Sequence, residues 1–213
     1  MRKIQFQCPA KINLFLEITG KRFDGYHRLA TLFAKINLYD VLDMTSDQTG
    51  KIRLEVEGSD LSPGEDNLVL RAARAFYKAF RIGQGVTIRL TKRIPVGAGL
   101  GGGSSDAAGA LLALPKLFDL PLTAARKKRI KSIGASLGAD VPFFLNPAPF
   151  CVGKGIGDQL KAVSVKDSLP YMILAYPNLH ISTAESYRHL TKPDRNDVLT
   201  RLSHLDTLVT SLK

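Results

Sequence analysis

The segment best equipped for chemistry is a run of glycines ending in two serines and an acid, Gly97-Ala98-Gly99-Leu100-Gly101-Gly102-Gly103-Ser104-Ser105-Asp106. It leads into Ala107 to Leu114, an Ala/Leu-rich stretch with the composition of a helix buried on most of its surface. Glycines entering a helix set several backbone N–H groups at the positive end of the helix dipole, with no Cβ atoms in the way. That is an anion cradle, and phosphate is its commonest guest. A flexible turn is the bland reading, but five glycines within residues 97–103 exceed what a turn requires. Gly97, Gly99 and Gly102 satisfy GxGxxG, yet a dinucleotide site needs an apolar strand just before the glycines and an acid on a second strand about 20 residues later. Here Thr91-Lys92-Arg93-Ile94-Pro95 precedes the glycines and Asp119 falls in helical surroundings. A Walker A loop fails as well, since no Gly-Lys-Ser/Thr closes the cluster.

Two further residues are out of place in their surroundings. Asp140 is an acid inside the apolar stretch Leu137 to Leu145, and Lys11 follows Pro9-Ala10 at an expected strand boundary. Phosphoryl transfer asks a protein for positioning, charge neutralisation and a group near the acceptor hydroxyl to take its proton, which an acid beside a lysine supplies. Taken singly, Asp140 reads as a cap and Lys11 as an edge lysine. Tyr26 and His27 follow a turn at Asp24-Gly25, and Tyr187 lies far downstream. Such a trio suits a nucleobase, rings stacking on its faces and the imidazole meeting its edge; the bland alternative is a packed Tyr and a solvent-facing His. His180, His189 and His204 read as surface residues, and the basic run Arg126 to Lys131 as a solvated helix face.

The elements that must position these residues are legible from periodicity. Ile4, Phe6 and Cys8 alternate as a strand, Ile12 to Ile18 follow as a second strand after the Pro9-Ala10 break, and Ile36 to Met44 continue extended chain. Ile52, Leu54 and Val56 alternate as another strand, as do Val86, Ile88 and Leu90. Asp66 or Asn67 caps a helix carrying Leu68, Val69, Ala72, Ala73, Phe76 and Phe80, which Gly83 and Gly85 end. Pro115 is expected to end or kink the helix after the glycines near Leu114. Tyr171 to Tyr176 reads as a short buried strand, and Val198 to Val209 repeat at helical spacing. Strands and helices without regular βαβ alternation predict an α+β fold.

The 213 residues hold 45% hydrophobic and 23% charged residues, an ordinary globular balance that excludes collagenous and disordered classes. No window reaches the roughly 18 apolar residues of a membrane span. Thirty Lys and Arg against 19 Asp and Glu leave +11, a charge that draws polyanions, nucleotide phosphates and nucleic acid alike. Cys8 and Cys151 sit in no CxxC motif and follow no secretory segment, so they are expected as reduced, buried thiols in a cytoplasmic protein.

Pro95-Val-Gly-Ala-Gly-Leu-Gly-Gly-Gly-Ser-Ser-Asp-Ala-Ala108 resembles the phosphate-binding loop of the GHMP small-molecule kinases. Pro9-Ala-Lys-Ile-Asn-Leu-Phe-Leu16, Arg22-Phe-Asp-Gly-Tyr-His27 and Leu137-Gly-Ala-Asp-Val-Pro-Phe143 are similar to stretches of one branch, the 4-diphosphocytidyl-2-C-methyl-D-erythritol kinase family, in the same order. The resemblance continues more weakly through Gly153 to Asp158 and Ile181 to Tyr187.

It implies a GHMP kinase N-terminal ATP-binding domain over 1–166, with mixed sheet and helices, and a partial C-terminal α+β substrate domain over 167–213. It also implies transfer of the γ-phosphate of ATP to an erythritol hydroxyl in non-mevalonate isoprenoid precursor synthesis. ATP would lie on Pro95, Gly97, Gly99, Leu100, Gly101, Gly102, Gly103, Ser104 and Ser105, with Lys11 and Asp140 catalytic. Asn13, Tyr26, His27, Thr183 and Tyr187 would face the cytidine diphosphate substrate. Mg2+ accompanies ATP chemistry, with Ser105 as a candidate to orient or ligate it.

The family pattern carries another Gly/Ser-rich loop in a further strand and helix unit, which this chain, ending at Lys213, lacks; a truncated C-terminal part is therefore expected. Three alternatives stay open: a truncated, inactive relative, a GHMP kinase for another small alcohol, and, less favoured, a nucleic-acid-binding domain. Asp24-Gly-Tyr-His27 speaks against the second, and the spread of positive charge without interleaved aromatics against the third.

Overall fold

The computed structural model describes residues 1–25, 27–166, 171–177 and 194–213. It opens with two long paired strands, β1 (Lys3–Lys21) and β2 (His27–Asp47). The sequence predicts a break at Pro9, but β1 runs through it. Proline lacks one N–H yet has a φ compatible with extended chain, so a strand survives where that one donor is not required.

The chain forms two compact units whose segments alternate along the sequence. The first comprises Met1–Ala10, Asn37–Val96 and Gly101–Leu145. Here β3 (Ile52–Glu57) pairs in parallel with β4 (Gly85–Thr91), Ile52 opposite Val86 and Glu57 opposite Thr91. The C-terminal part of β2 lies antiparallel to β4, Val41 opposite Thr91 and Asp47 opposite Gly85. The result is a mixed sheet.

Helix α1 (Leu68–Phe80) begins at Asn67, whose side chain accepts the Val69 N–H, and buries Val69, Leu70, Ala72, Ala73 and Phe76. It ends on Arg81 in the left-handed region at φ 53°, ahead of the glycines expected to end it. Helix α2 (Gly102–Leu117) is buried along almost its whole length from Ser105 onward. Pro115 does not end it at Leu114. The helix has only two residues left to run, and the last turn is closed by the Phe118 N–H on Leu114 O and the Leu120 N–H on Pro115 O, at 3.1 and 2.8 Å. Helix α3 (Ala124–Leu137), capped by Thr123, buries Ile130, Ile133 and Gly134, and the short α4 (Val141–Leu145) buries Phe143 and Phe144. Helix α1 packs on α2 and α3, and α2 on α4.

The second unit comprises Lys11–Ile36, Gly97–Leu100 and Asn146–Lys213. The N-terminal part of β2 pairs antiparallel with β5 (Phe150–Lys154), Thr31 opposite Gly153, and β5 with β6 (Gln159–Ala162). Phe-Cys-Val-Gly-Lys in β5 carries no alternation of apolar and polar residues, and β6 is only four residues long. Helix α5 (Arg195–Ser211) starts on Asp194, whose carboxylate accepts the Asn196 and Asp197 N–H groups. It buries Leu205 in a cluster with Ala30, Leu32 and Val163, flanked by Leu14, Phe15, Leu202 and Val209. Residues 171–177, expected as a buried strand, are irregular, with Tyr171 and Ile173 fully exposed. A strand requires a neighbour to take its N–H and C=O groups, and none of the described strands pairs with this segment. Among the described residues no helix is long and apolar enough to cross a membrane.

Candidate functional site

The glycine run takes the form its composition demands. Gly97, Gly99 and Gly101 have φ of 74, 73 and 71°, in the left-handed region, while the residues between them do not. Alternation of this kind turns successive N–H groups toward one side, the backbone pattern of an anion nest. Gly101 is the N-cap of α2 and no side chain caps that helix. Among the described residues, only the Ser105 N–H of the opening turn has a backbone acceptor, Gly101 O at 2.9 Å, as expected where the first N–H groups of a helix have no intrahelical partner.

The three middle glycines differ in what surrounds them. A Cβ on Gly99 would meet nothing within 4 Å, and one on Gly103 only the Leu68 side chain at 3.6 Å. On Gly102 it would come within 3.1 Å of Lys92 Nζ and Ile94 Cγ2 and 3.4 Å of Asp40 Oδ2. A side chain at 102 would therefore press on the protein beneath it.

What lies beneath is a buried charge group that the sequence reading missed. Asp40, Lys92 and Asp106 are 0, 6 and 1% exposed. Lys92 Nζ pairs with Asp40 Oδ2 and donates to Asp106 Oδ2 at 2.8 Å. Asp40 Oδ1 accepts the N–H groups of Arg93 and Ile94 at 2.5 and 2.8 Å. Among the described residues, neither Asp106 Oδ1 nor the buried Ser105 hydroxyl has a hydrogen-bond partner.

Burial pushes the Asp106 carboxyl up and Asp40 adds to the effect; Lys92 opposes both, and the outcome is about 7. Burial alone would lower Lys92, but Asp106 and Asp40 hold it above its ordinary value. The thiol of Cys8 is raised well above the usual range by burial and then by the two carboxylates. One signal in the sequence could have found this group: at the two-residue period of a strand, Asp40 shares a face with Leu38, Leu42 and Met44, an acid among apolar residues, while Asp43 falls on the other face.

In the same unit, a Cβ on Gly138 would stand 3.7 Å from Ser104 Oγ, so the Leu137–Phe143 segment passes the first turn of α2. Asp140, half-buried, immediately precedes α4, and its carbonyl accepts the Phe143 N–H at 3.1 Å.

Other candidates gather in the second unit. The Lys11 N–H donates to Leu100 O at 2.9 Å, tying that lysine to the glycine loop. Lys11 is 8% exposed; its Nζ donates to Asn13 Oδ1 at 2.8 Å and lies 5.5 Å from the centre of the Phe33 ring. Asn13 Nδ2 donates to Thr31 Oγ1 at 2.7 Å, and that hydroxyl donates to Phe15 O at 2.6 Å. Thr31, wholly buried, is a member of this chain of contacts that sequence reasoning did not pick out. His27 opens β2, half-buried. Pro95, which belongs to the first unit, enters the loop half-buried. Tyr26, Thr183 and Tyr187 lie outside the described residues.

Comparison with known proteins gives the same direction. A family model described as the GHMP kinases N terminal domain matches residues 67–147. The 4-diphosphocytidyl-2-C-methyl-D-erythritol kinase of Citrifermentans bemidjiense is 40% identical over 203 residues, 94% of this chain and 71% of that protein. The enzyme of that name from Prochlorococcus marinus strain MIT 9215 is 42% identical over 187 residues, 87% of this chain, which spans only 58% of its length. A crystal structure of 4-(cytidine 5'-diphospho)-2C-methyl-D-erythritol kinase superposes with a TM-score of 0.63 at 40% identity, covering 76% of this chain and 56% of that one. A homoserine kinase from Cytophaga hutchinsonii superposes at 0.73 with 19% identity, covering 100 and 68% of the two chains, a likeness of fold alone. With an α+β architecture, a glycine loop opening an uncapped helix and this degree of likeness to its relatives, the chain belongs to the 4-diphosphocytidyl-2-C-methyl-D-erythritol kinase family of the GHMP kinases.

Proposed function

We propose that this chain carries out ATP-dependent phosphorylation of the erythritol hydroxyl of 4-diphosphocytidyl-2-C-methyl-D-erythritol, a step of non-mevalonate isoprenoid precursor synthesis. The observation that carries the reading is the uncapped N-terminus of α2 behind three left-handed glycines. The ATP phosphates would lie on the amides of Gly99 to Ser105, with Pro95 and Gly97 shaping the approach.

Asp140 accepts the proton of the attacking hydroxyl as its oxygen bonds to the γ-phosphorus and the bridging oxygen leaves with ADP. Lys11, fixed by Asn13 and the Leu100 carbonyl, balances the charge on the transferring group. His27 would read the cytosine edge with Tyr26 and Tyr187 stacking on the ring, Asn13 would hydrogen-bond the substrate, and Thr183 would lie near it.

Magnesium supplies charge neutralisation between the phosphates. The buried Ser105 hydroxyl, without a hydrogen-bond partner among the described residues, is the side chain that would help hold the ion beside the phosphates. The 1–166 and 167–213 division remains part of this proposal. So does a cytoplasmic setting, which the two unpaired, buried cysteines suit.

The test is ADP release by the purified chain with Mg-ATP and each of three alcohols: the cytidine substrate, homoserine and mevalonate. Release is expected with the first alone, and Asp140→Asn should cut it by about 10²–10⁴ with little change in ATP affinity, the usual range for a lost general base. Equal release with another alcohol refutes the substrate assignment. ATP binding with no release under any alcohol supports a second reading, nucleotide binding without turnover.

A further inference from the structure

We propose that Asp40, Lys92 and Asp106 form a staple across the base of the glycine loop, a positioning group that holds the opening turn of α2 ready for the nucleotide's phosphates. The inference rests on the placement of ATP on that loop given above.

Lys92 directly follows β4 on the way into the loop, and Asp106 sits in α2 just past it. The Lys92–Asp106 contact joins residues 14 apart in sequence and so closes the loop at its foot. Asp40, reaching in from β2, fixes the entering strand: one carboxylate oxygen takes the Arg93 and Ile94 N–H groups while the other meets the ammonium. A methyl added at Gly102, the first residue of α2, would stand 3.1 Å from the ammonium, so the start of the helix lies close over it. The Lys92–Asp106 contact ties this ammonium to the same helix, one turn past the amides that would meet the phosphates.

A buried charged group of this kind seldom adds stability over apolar residues of the same volume. What it adds is direction. A glycine-rich loop has more backbone freedom to lose than any other, and ordering it when the ligand arrives subtracts from affinity. A charge-assisted contact at its foot removes part of that cost in advance.

Charge alone predicts the opposite sign. With both carboxylates ionised the group carries one net negative charge at the foot of an anion site, so deleting Asp106 should tighten nucleotide binding if field is all that matters. If the staple matters, deletion should loosen it. Asp106 is the member to change, since removing Lys92 strands two buried carboxylates, whereas removing Asp106 leaves the Lys92–Asp40 pair balanced.

The experiment is calorimetric titration of the full chain with Mg-ATP, without acceptor, at pH 8, for the parent, Asp106→Ala and Asp106→Asn. Circular dichroism establishes which variants are folded. Asp106→Ala is expected to bind ATP about tenfold more weakly, and Asp106→Asn, which keeps an acceptor for Lys92, to fall between it and the parent. Affinity equal to or tighter than the parent's in a folded Asp106→Ala overturns the staple and leaves the ATP site standing. If Asp106→Ala does not fold, an Asp106→Asn affinity equal to the parent's overturns it in the same way. A parent chain that does not bind ATP removes the site and the staple together.

Discussion

Removing one proton site from the buried charge group tests how that group couples to folding. The carboxyl of Asp106 titrates near 7 in the folded chain, against 3.8 for an ordinary aspartate, because burial and then Asp40 outweigh the pull of Lys92. A carboxyl pKa raised by folding means that the folded chain holds the proton more tightly than the unfolded one. Its stabilising contribution is thus complete below about pH 4 and is lost as pH rises toward about 7.

The neighbours do not share this window. Lys92 is raised from 10.5 and Cys8 well above 9.0, so both titrate at higher pH. Between pH 5 and 8 the loss should be about 3 kcal/mol, two pH units at about 1.4 kcal/mol each, which is a large part of a typical domain's total stability. Urea unfolding of the parent and of Asp106→Asn, read by circular dichroism at half-unit steps across this range, measures it. The parent should lose stability relative to the variant as pH rises, with unchanged denaturant slopes. Parallel pH curves for the two proteins would refute the reasoning, since they would mean that Asp106 is ionised throughout.

Two other outcomes follow from packing and capping. Gly109→Ala would drive a methyl into Cys8 Sγ and to 3.2 Å from Leu42 Cδ1, so overpacking of about 1–3 kcal/mol should exceed the roughly 1 kcal/mol gained in helix propensity. In a Cys8→Ala background the same change should turn neutral or stabilising, and an identical cost in both backgrounds by chemical denaturation would show that the sulfur is not the obstacle. Asp194→Ala removes the carboxylate that takes the Asn196 N–H at 2.7 Å and should cost about 1 kcal/mol, most of it restored by Asp194→Asn; a thermal melt that separates none of the three proteins would argue against the cap.

Much of the molecule was legible in its sequence because much of it is local. Alternation in Ile52-Arg53-Leu54-Glu55-Val56 and the three- and four-residue spacing of Val69, Ala72, Ala73 and Phe76 report which face an element buries, and both elements stand where those patterns put them. Left-handed backbone at Gly97, Gly99 and Gly101 is written in the residues themselves, since few others adopt it. Proline misled twice, at Pro9 and Pro115. In a strand the missing N–H matters only where a neighbouring strand needs that donor, which the fold decides, and in α2 only two residues follow Pro115, so little of the helix is left to disrupt. The apolar run Tyr171 to Tyr176 misled for a related reason, as a strand is defined by its neighbour. Least legible was the Asp40–Lys92–Asp106 group. Asp40 and Lys92 are 52 residues apart, and nothing in their own surroundings says that a strand, the exit of another strand and a helix will bring them to one point. Local sequence determined the backbone conformation of the glycine loop and the buried faces of elements such as β3 and α1. Only tertiary structure decided which buried charges would meet, because the energy that makes a buried charge tolerable comes from partners supplied by distant segments.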